Sequence, residues 1–106
     1  MVTVRIKLQD GGYRGFECYG HSGYADEGSD IFCAAVSVLA TNTVNAIEAL
    51  TDDIVEDEAE SGRMSCIFPN GLSDKGKLLM DAMALGLSQI AEGSGKPYVR
   101  LIIEEE

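Results

Sequence analysis

Val2, Val4, Ile6 and Leu8 alternate with Thr3, Arg5 and Lys7, the period-two pattern of a strand with one buried face. Gln9-Asp10-Gly11-Gly12 follows as a hairpin turn, because Asp-Gly tolerates the positive φ angles of a short connection. A second strand, Tyr13 to Tyr19, then pairs antiparallel with the first and delivers Gly20 and His21 at its end. Ser22 to Ser29, rich in glycine and carboxylates, reads as a loop, either a plain connector or a lid over a substrate. From Ile31 the apolar spacing changes to three and four residues: Ala35, Leu39, Ala46 and Leu50, flanked by Ala34, Val38 and Ala49. This predicts a helix of ~20 residues with Ser29 or Asp30 as N-cap. Asn42 and Asn45, on or near its apolar side, are either buried and satisfied or set at an interface.

Ile54 to Ala59 and Arg63 to Phe68 form a second hairpin through Glu60-Ser61-Gly62, and Pro69-Asn70-Gly71 breaks the pattern. Leu72, Gly76, Leu79, Met83, Leu87 and Ile90 then predict a second helix from about Ser73 to Glu92, stopping at Gly93-Ser94-Gly95. Tyr98 to Glu104 carries Val99, Leu101, Ile102 and Ile103 and belongs inside a sheet or at a partner surface. The order ββαββαβ predicts an α+β two-layer sandwich, a largely antiparallel sheet with two helices packed on one face. The other face is either polar or buried by a second copy, and a homodimer is the expectation.

Composition narrows the function. The 106 residues, 45% of them hydrophobic, suit a single domain spanning 1–106 with one core. No apolar run approaches the ~20 residues of a membrane span, and Met1-Val2-Thr3-Val4-Arg5 leads directly into strand alternation. The expectation is a cytoplasmic protein with no membrane partner. Eight Lys+Arg against 18 Asp+Glu give a net charge of −10, which repels phosphate backbones and disfavours direct nucleic-acid binding. The same charge attracts basic proteins or simply keeps the chain soluble, and Glu104-Glu105-Glu106 reads as a solvated tail.

The chemistry concentrates around His21, the chain's one histidine, and Cys33. Cys33 reads as lying just inside the first turn of the long helix, where unpaired N–H groups and the helix dipole favour a thiolate. A neighbouring imidazole at His21 would accept the thiol proton, giving a cysteine nucleophile with a histidine base. Asp26, Glu27 and Asp30 are candidates to orient His21, with Asp30 equally readable as a plain N-cap. Ser37, one turn after Cys33, bonds either to the site or back to its own helix. Cys18 and Cys66 read as strand cysteines packed in the core. Three cysteines with no CxxC pair suggest neither a disulfide framework nor a thiolate zinc site. Asp26-Glu27-Gly28-Ser29-Asp30 misses the calcium-loop order, so no metal or other cofactor is expected.

Gly20-His21, then Asp30-Ile31-Phe32-Cys33-Ala34-Ala35-Val36-Ser37 and Asn45-Ala46-Ile47, closely resemble the ribosomal-processing cysteine protease family, Prp, through its G-H…D-x-x-C-A-x-x-S pattern. The resemblance implies a homodimeric cytoplasmic protease that removes a short N-terminal extension from a large-subunit ribosomal protein precursor, cutting after an aromatic pair. It implies His21 and Cys33 as the catalytic dyad, supported by Gly20, Asp30 and Ser37, and Ser22 to Ser29 as a loop that orders around substrate. The competing reading is a non-catalytic acidic homodimer that binds a basic ribosomal protein or assembly factor.

Overall fold

Alternation in the first two strands and helical spacing in the two long segments build a sheet with one apolar face and two amphipathic helices to cover it. The computed structural model describes residues 1–20, 27–60 and 62–106, the helical residues 27–30 by backbone alone. Its elements are β1 (Val2–Gln9), β2 (Gly12–Tyr19), α1 (Glu27–Leu50), β3 (Glu56–Glu60), β4 (Arg63–Ile67), α2 (Asp74–Glu92) and β5 (Val99–Glu105), the expected order. The five strands lie side by side as β3-β4-β2-β1-β5. Three pairings are antiparallel (β1 with β2, β2 with β4, β3 with β4), and β5 runs parallel to β1.

Local chemistry fixes the connections. The β1–β2 hairpin turns through Asp10 and Gly11, both at positive φ, as the Asp-Gly pair requires. Ser73 caps α2 by accepting from the Gly76 N–H, and the Asp53 carboxylate accepts from both the Ser73 N–H and its hydroxyl. At the other end of α2, the Gly93 N–H donates to the Gln89 carbonyl.

Val2, Val4, Ile6, Phe16, Cys66 and Val99 point from the sheet into one core against Val36, Ala40, Val44 and Ile47 of α1 and Met80, Met83 and Leu87 of α2. Full burial of an aliphatic or aromatic side chain stabilises by about 1.5–3 kcal/mol, so this layer holds the fold. The sheet's other face is charged, the polar one of the two alternatives. Arg5, Lys7, Glu17, Arg63 and Glu104 share it in a network of ion pairs.

Four expectations change. The helix begins at Glu27, so Ser29 and Asp30 lie within its first turn and neither caps it. Ile31–Leu50 is, by length and composition, apolar enough to cross a membrane, with mean hydropathy 1.4, against the expectation that no such stretch exists. Here Val36, Ala40, Val44 and Ile47 turn one face of that helix onto the sheet. Asn42 and Asn45 are exposed, which removes the buried alternative. β5 lies at the edge of the sheet, which removes the internal one of the two places open to it.

Candidate active site

α1 is held on the sheet by Val36, Ala40, Val44 and Ile47, which recur every three or four residues and are all buried. Cys33 precedes Val36 by one turn and is half-buried at the edge of that face, packed against the core. From there it lines a cleft of about 490 Å³. Ser37, Ala40 and Thr41 continue the same wall, Cys18, Tyr19 and Gly20 come from the end of β2, and Ala59, Glu60, Arg63 and Met64 from the β3–β4 hairpin.

The structure therefore brings together three of the five expected site residues: Gly20, Cys33 and Ser37 all line this cleft. His21 and the segment through Asp26 lie outside the described residues, and Asp30 is described by its backbone only. The loop expected over Ser22 to Ser29 gives way to helix from Glu27 onward; the remainder lies outside the described residues. That longer helix also moves Cys33 from the first turn into the second. The four amides that a helix leaves unpaired belong to its first residues, so the Cys33 amide is not among them, and the dipole falls off within the first turn.

Gly20 is the joint between strand and histidine. Its φ is +84°, and a Cβ there would stand 2.5 Å from the Met1 carbonyl oxygen, so only glycine lets the chain leave β2 in this direction. Tyr19, just before it, is clamped from two sides. The Arg63 guanidinium lies 5.9 Å from its ring centroid, and Arg5 Nη2 donates to its hydroxyl at 3.2 Å. Arg63 and Arg5 are in turn drawn to the largely buried Glu17 carboxylate, at 2.6 and 3.8 Å. The end of β2 thus reaches the cleft as a rigid element.

The three thiols differ in surroundings. Burial pushes Cys18 and Cys66 up to about 12, with the Glu17 carboxylate adding to the first and Asp57 to the second, so both stay protonated at neutral pH. Both pack in the core as expected, but Cys18 also forms part of the cleft's inner wall. Among the described residues no three of His, Cys, Asp and Glu converge on a point where a metal ion would sit. The pattern of α1 gives no sign of Tyr19, Ala59, Arg63 or Met64. Alternation assigns each of them a face of its own hairpin, but only the pairing of β4 with β2 carries the second hairpin to Cys33.

A half-buried cysteine in a cleft with an apolar inner wall and a rim that carries Glu60 and Arg63 can attack a bound acyl group and hold an extended peptide beside it. The model of the family described as Cysteine protease Prp matches residues 1–100. The chain belongs to the Prp family of cysteine proteases. The ribosomal processing cysteine protease Prp of Bacillus subtilis (strain 168) is 30% identical over 95 residues, covering 84% of each chain. Among solved structures, SMU.848 from Streptococcus mutans superposes with a TM-score of 0.88 at 31% identity, covering 100% of this chain and 99% of that one. The ribosomal processing protease Prp from S. aureus, crystallised in complex with a substrate peptide, gives a TM-score of 0.89 at 26% identity over 98% of this chain and all of its own. Prp membership favours peptide hydrolysis over the non-catalytic acidic binder.

Proposed function

We infer that this chain is the endopeptidase that removes a short N-terminal extension from a large-subunit ribosomal protein precursor, with Cys33 as nucleophile and His21 as general base. The observation that carries the reading is that Gly20, covalently joined to His21, and Cys33 line one cleft from opposite elements. The Cys33 thiol gives its proton to the imidazole as sulfur attacks the scissile carbonyl carbon. The imidazolium then protonates the leaving amine, and water, deprotonated by the same ring, hydrolyses the thioester and restores the thiol.

Gly20 sets the exit of the strand, Ser37 lies beside Cys33 on the cleft wall, and Asp30 is the carboxylate assigned to orient the imidazole. The S. aureus relative has been crystallised with a substrate peptide and with a covalently linked product peptide, which supports the same cleft as the peptide site. Val36, Ala40, Cys18 and Met64 supply apolar wall for aromatic side chains next to the cut, while Glu60 and the net charge of −10 suit a basic ribosomal protein. The enzyme acts without metal or cofactor, as a cytoplasmic homodimer.

The test is incubation with precursor peptides that carry the extension, read by mass spectrometry. Wild type releases a single N-terminal fragment; Cys33→Ala and His21→Ala release none, and Cys33→Ala still binds the peptide. Continued cleavage by Cys33→Ala removes the nucleophile assignment.

A further inference from the structure

The charges on the open face of the sheet form a ladder that climbs strand by strand. Arg63 on β4 meets Glu17 on β2 at 2.6 Å, Glu17 meets Arg5 on β1 at 3.8 Å, and Arg5 meets Glu104 on β5 at 3.0 Å. β5 is the last strand, so the ladder ends on a carboxylate at the rim. Arg100 stands on the same face of the same strand, and among the described residues it makes no ion pair.

The backbone at that rim is open as well. The Tyr98 carbonyl accepts from the Val2 N–H, and the Glu106 N–H donates to the Leu8 carbonyl, so the even-numbered residues of β5 turn their polar groups toward β1. By alternation, the amides and carbonyls of Leu101, Ile103 and Glu105 face outward, together with the Val99 carbonyl, while the Val99 N–H is taken by the Gly95 carbonyl at 2.8 Å. From the Val99 carbonyl to Glu105 this edge has no strand partner among the described residues, and with no proline and no register shift along β1 it is a template for another strand. Beside it, Ile103 is 54% exposed, and Leu101 and Ile103 face Ser88 and Ala91 of α2 across a cleft of about 550 Å³. No cysteine lines this cleft.

We propose that a second copy of the chain occupies this edge, its β5 laid antiparallel on the first about a two-fold axis at Ile102. The proposal rests on the homodimer reading and specifies its surface. In this register Arg100 of each copy faces Glu104 of the other, twice by symmetry, and the ladder gains a rung in each direction. Leu101 and Ile103, whose polar groups face outward, become a hydrogen-bonded antiparallel pair, and each Ile103 reaches toward the other copy's cleft. Arg100, near the start of β5, thus lies against Glu104 at the acidic end. A chain of net charge −10 thereby meets its copy where its charges are complementary. Moving the axis by one residue sets Arg100 opposite Ile102, or Ile102 opposite Glu104, and loses that match. The two five-stranded sheets become one continuous sheet.

Sedimentation velocity across micromolar to sub-millimolar concentrations tests the seam. Wild type is dimeric, and Arg100→Glu and Glu104→Arg each raise the dimer Kd by roughly tenfold or more, since each sets like charges opposite each other twice. The double reversal restores the dimer. Ile103→Pro removes an amide that faces outward, so it separates the copies while leaving thermal unfolding cooperative and the Cys33 alkylation rate at the wild-type value. Wild-type dimers whose Kd is unmoved by all of these variants overturn the seam but leave the homodimer standing, with the uncharged outer stripe of α1 through Ile31 and Val38 as the next surface to examine. A monomeric wild type overturns both.

Discussion

Phe32, the residue before Cys33, stacks on Tyr98 with ring centroids 5.5 Å apart and an interplanar angle of 17°. Tyr98 sits in a connection whose backbone is tied throughout: Gly95 donates to Ile90, Lys96 to Gly93, and Tyr98 to Gly95. Gly95 also lies against Phe32, where a Cβ would come within 3.1 Å of its ring and 2.7 Å of the Ile90 carbonyl oxygen. The α2–β5 connection is therefore an anvil on which the early turns of α1, and with them Cys33, are set. Aromatic pairs contribute about 0.5–1.5 kcal/mol beyond their area, so Tyr98→Phe is expected to keep kcat/KM within about twofold. Tyr98→Ala should lose about tenfold and lower stability by about 2 kcal/mol. Peptide cleavage and urea melts on both variants check this; equal rates for the alanine variant and wild type would detach the stack from the site.

The three cysteines should separate cleanly under iodoacetamide. Cys18 and Cys66 are held protonated by burial up to about 12, whereas Cys33 opens into the cleft. Below pH 8, Cys33 is expected to alkylate at least about tenfold faster than either of the others, read by peptide mapping over time. Equal rates at all three positions would remove the special status of Cys33.

Alkaline pH should destabilise the fold. Burial raises Cys18, Cys66 and Tyr13 above their ordinary values, and the hydrogen bond from the Tyr13 hydroxyl to Asp81 raises Tyr13 further. A group whose folded pKa is raised contributes fully below its unfolded pKa and loses that contribution as pH climbs toward the folded one. The window therefore opens near pH 9 and runs to about 12 for the cysteines, with a slope of up to about 1.4 kcal/mol per pH unit for each group. Urea melts from pH 8 to 11 should show it. Tyr13→Phe should cost about 1 kcal/mol at pH 8 through the lost hydrogen bond and flatten the slope above pH 10. Stability unchanged up to pH 11 would refute the argument.

Residue order specifies an element only where the interactions that fix it are local. The β1 alternation, the Asp10-Gly11 turn and the Ser73 cap are of that kind, and α2 begins one residue from its expected start. The start of α1 is not legible in the same way. Ser29 and Asp30 are good caps in isolation, but the helix continues back to Glu27, which shifts Cys33 by a turn. The edge position of β5 is hidden as well, because its apolar run of Val99, Leu101, Ile102 and Ile103 is what an internal strand shows. Likewise Tyr19, Arg63 and Met64 enter the cleft through long-range pairing, which no local pattern encodes.

Gly20 offers the sharpest separation of catalysis from folding. At φ +84°, with the Met1 carbonyl oxygen 2.5 Å from where a Cβ would stand, alanine is strained on both counts. A left-handed non-glycine residue costs about 1–2 kcal/mol, and the clash adds displacement of either Met1 or the strand end. The clamp of Arg5 and Arg63 on Tyr19 holds the strand up to that point, so the displacement passes forward into His21 and not back into β2. Gly20→Ala is therefore expected to lower stability by about 2 kcal/mol yet reduce kcat by about a hundredfold, far more than unfolding of that size explains at room temperature. Because Cys33 stands on a different element, its alkylation rate with a small neutral reagent should fall much less than kcat. Melts, steady-state cleavage and alkylation on this one variant decide the matter: parallel losses in all three would make Gly20 a folding residue alone.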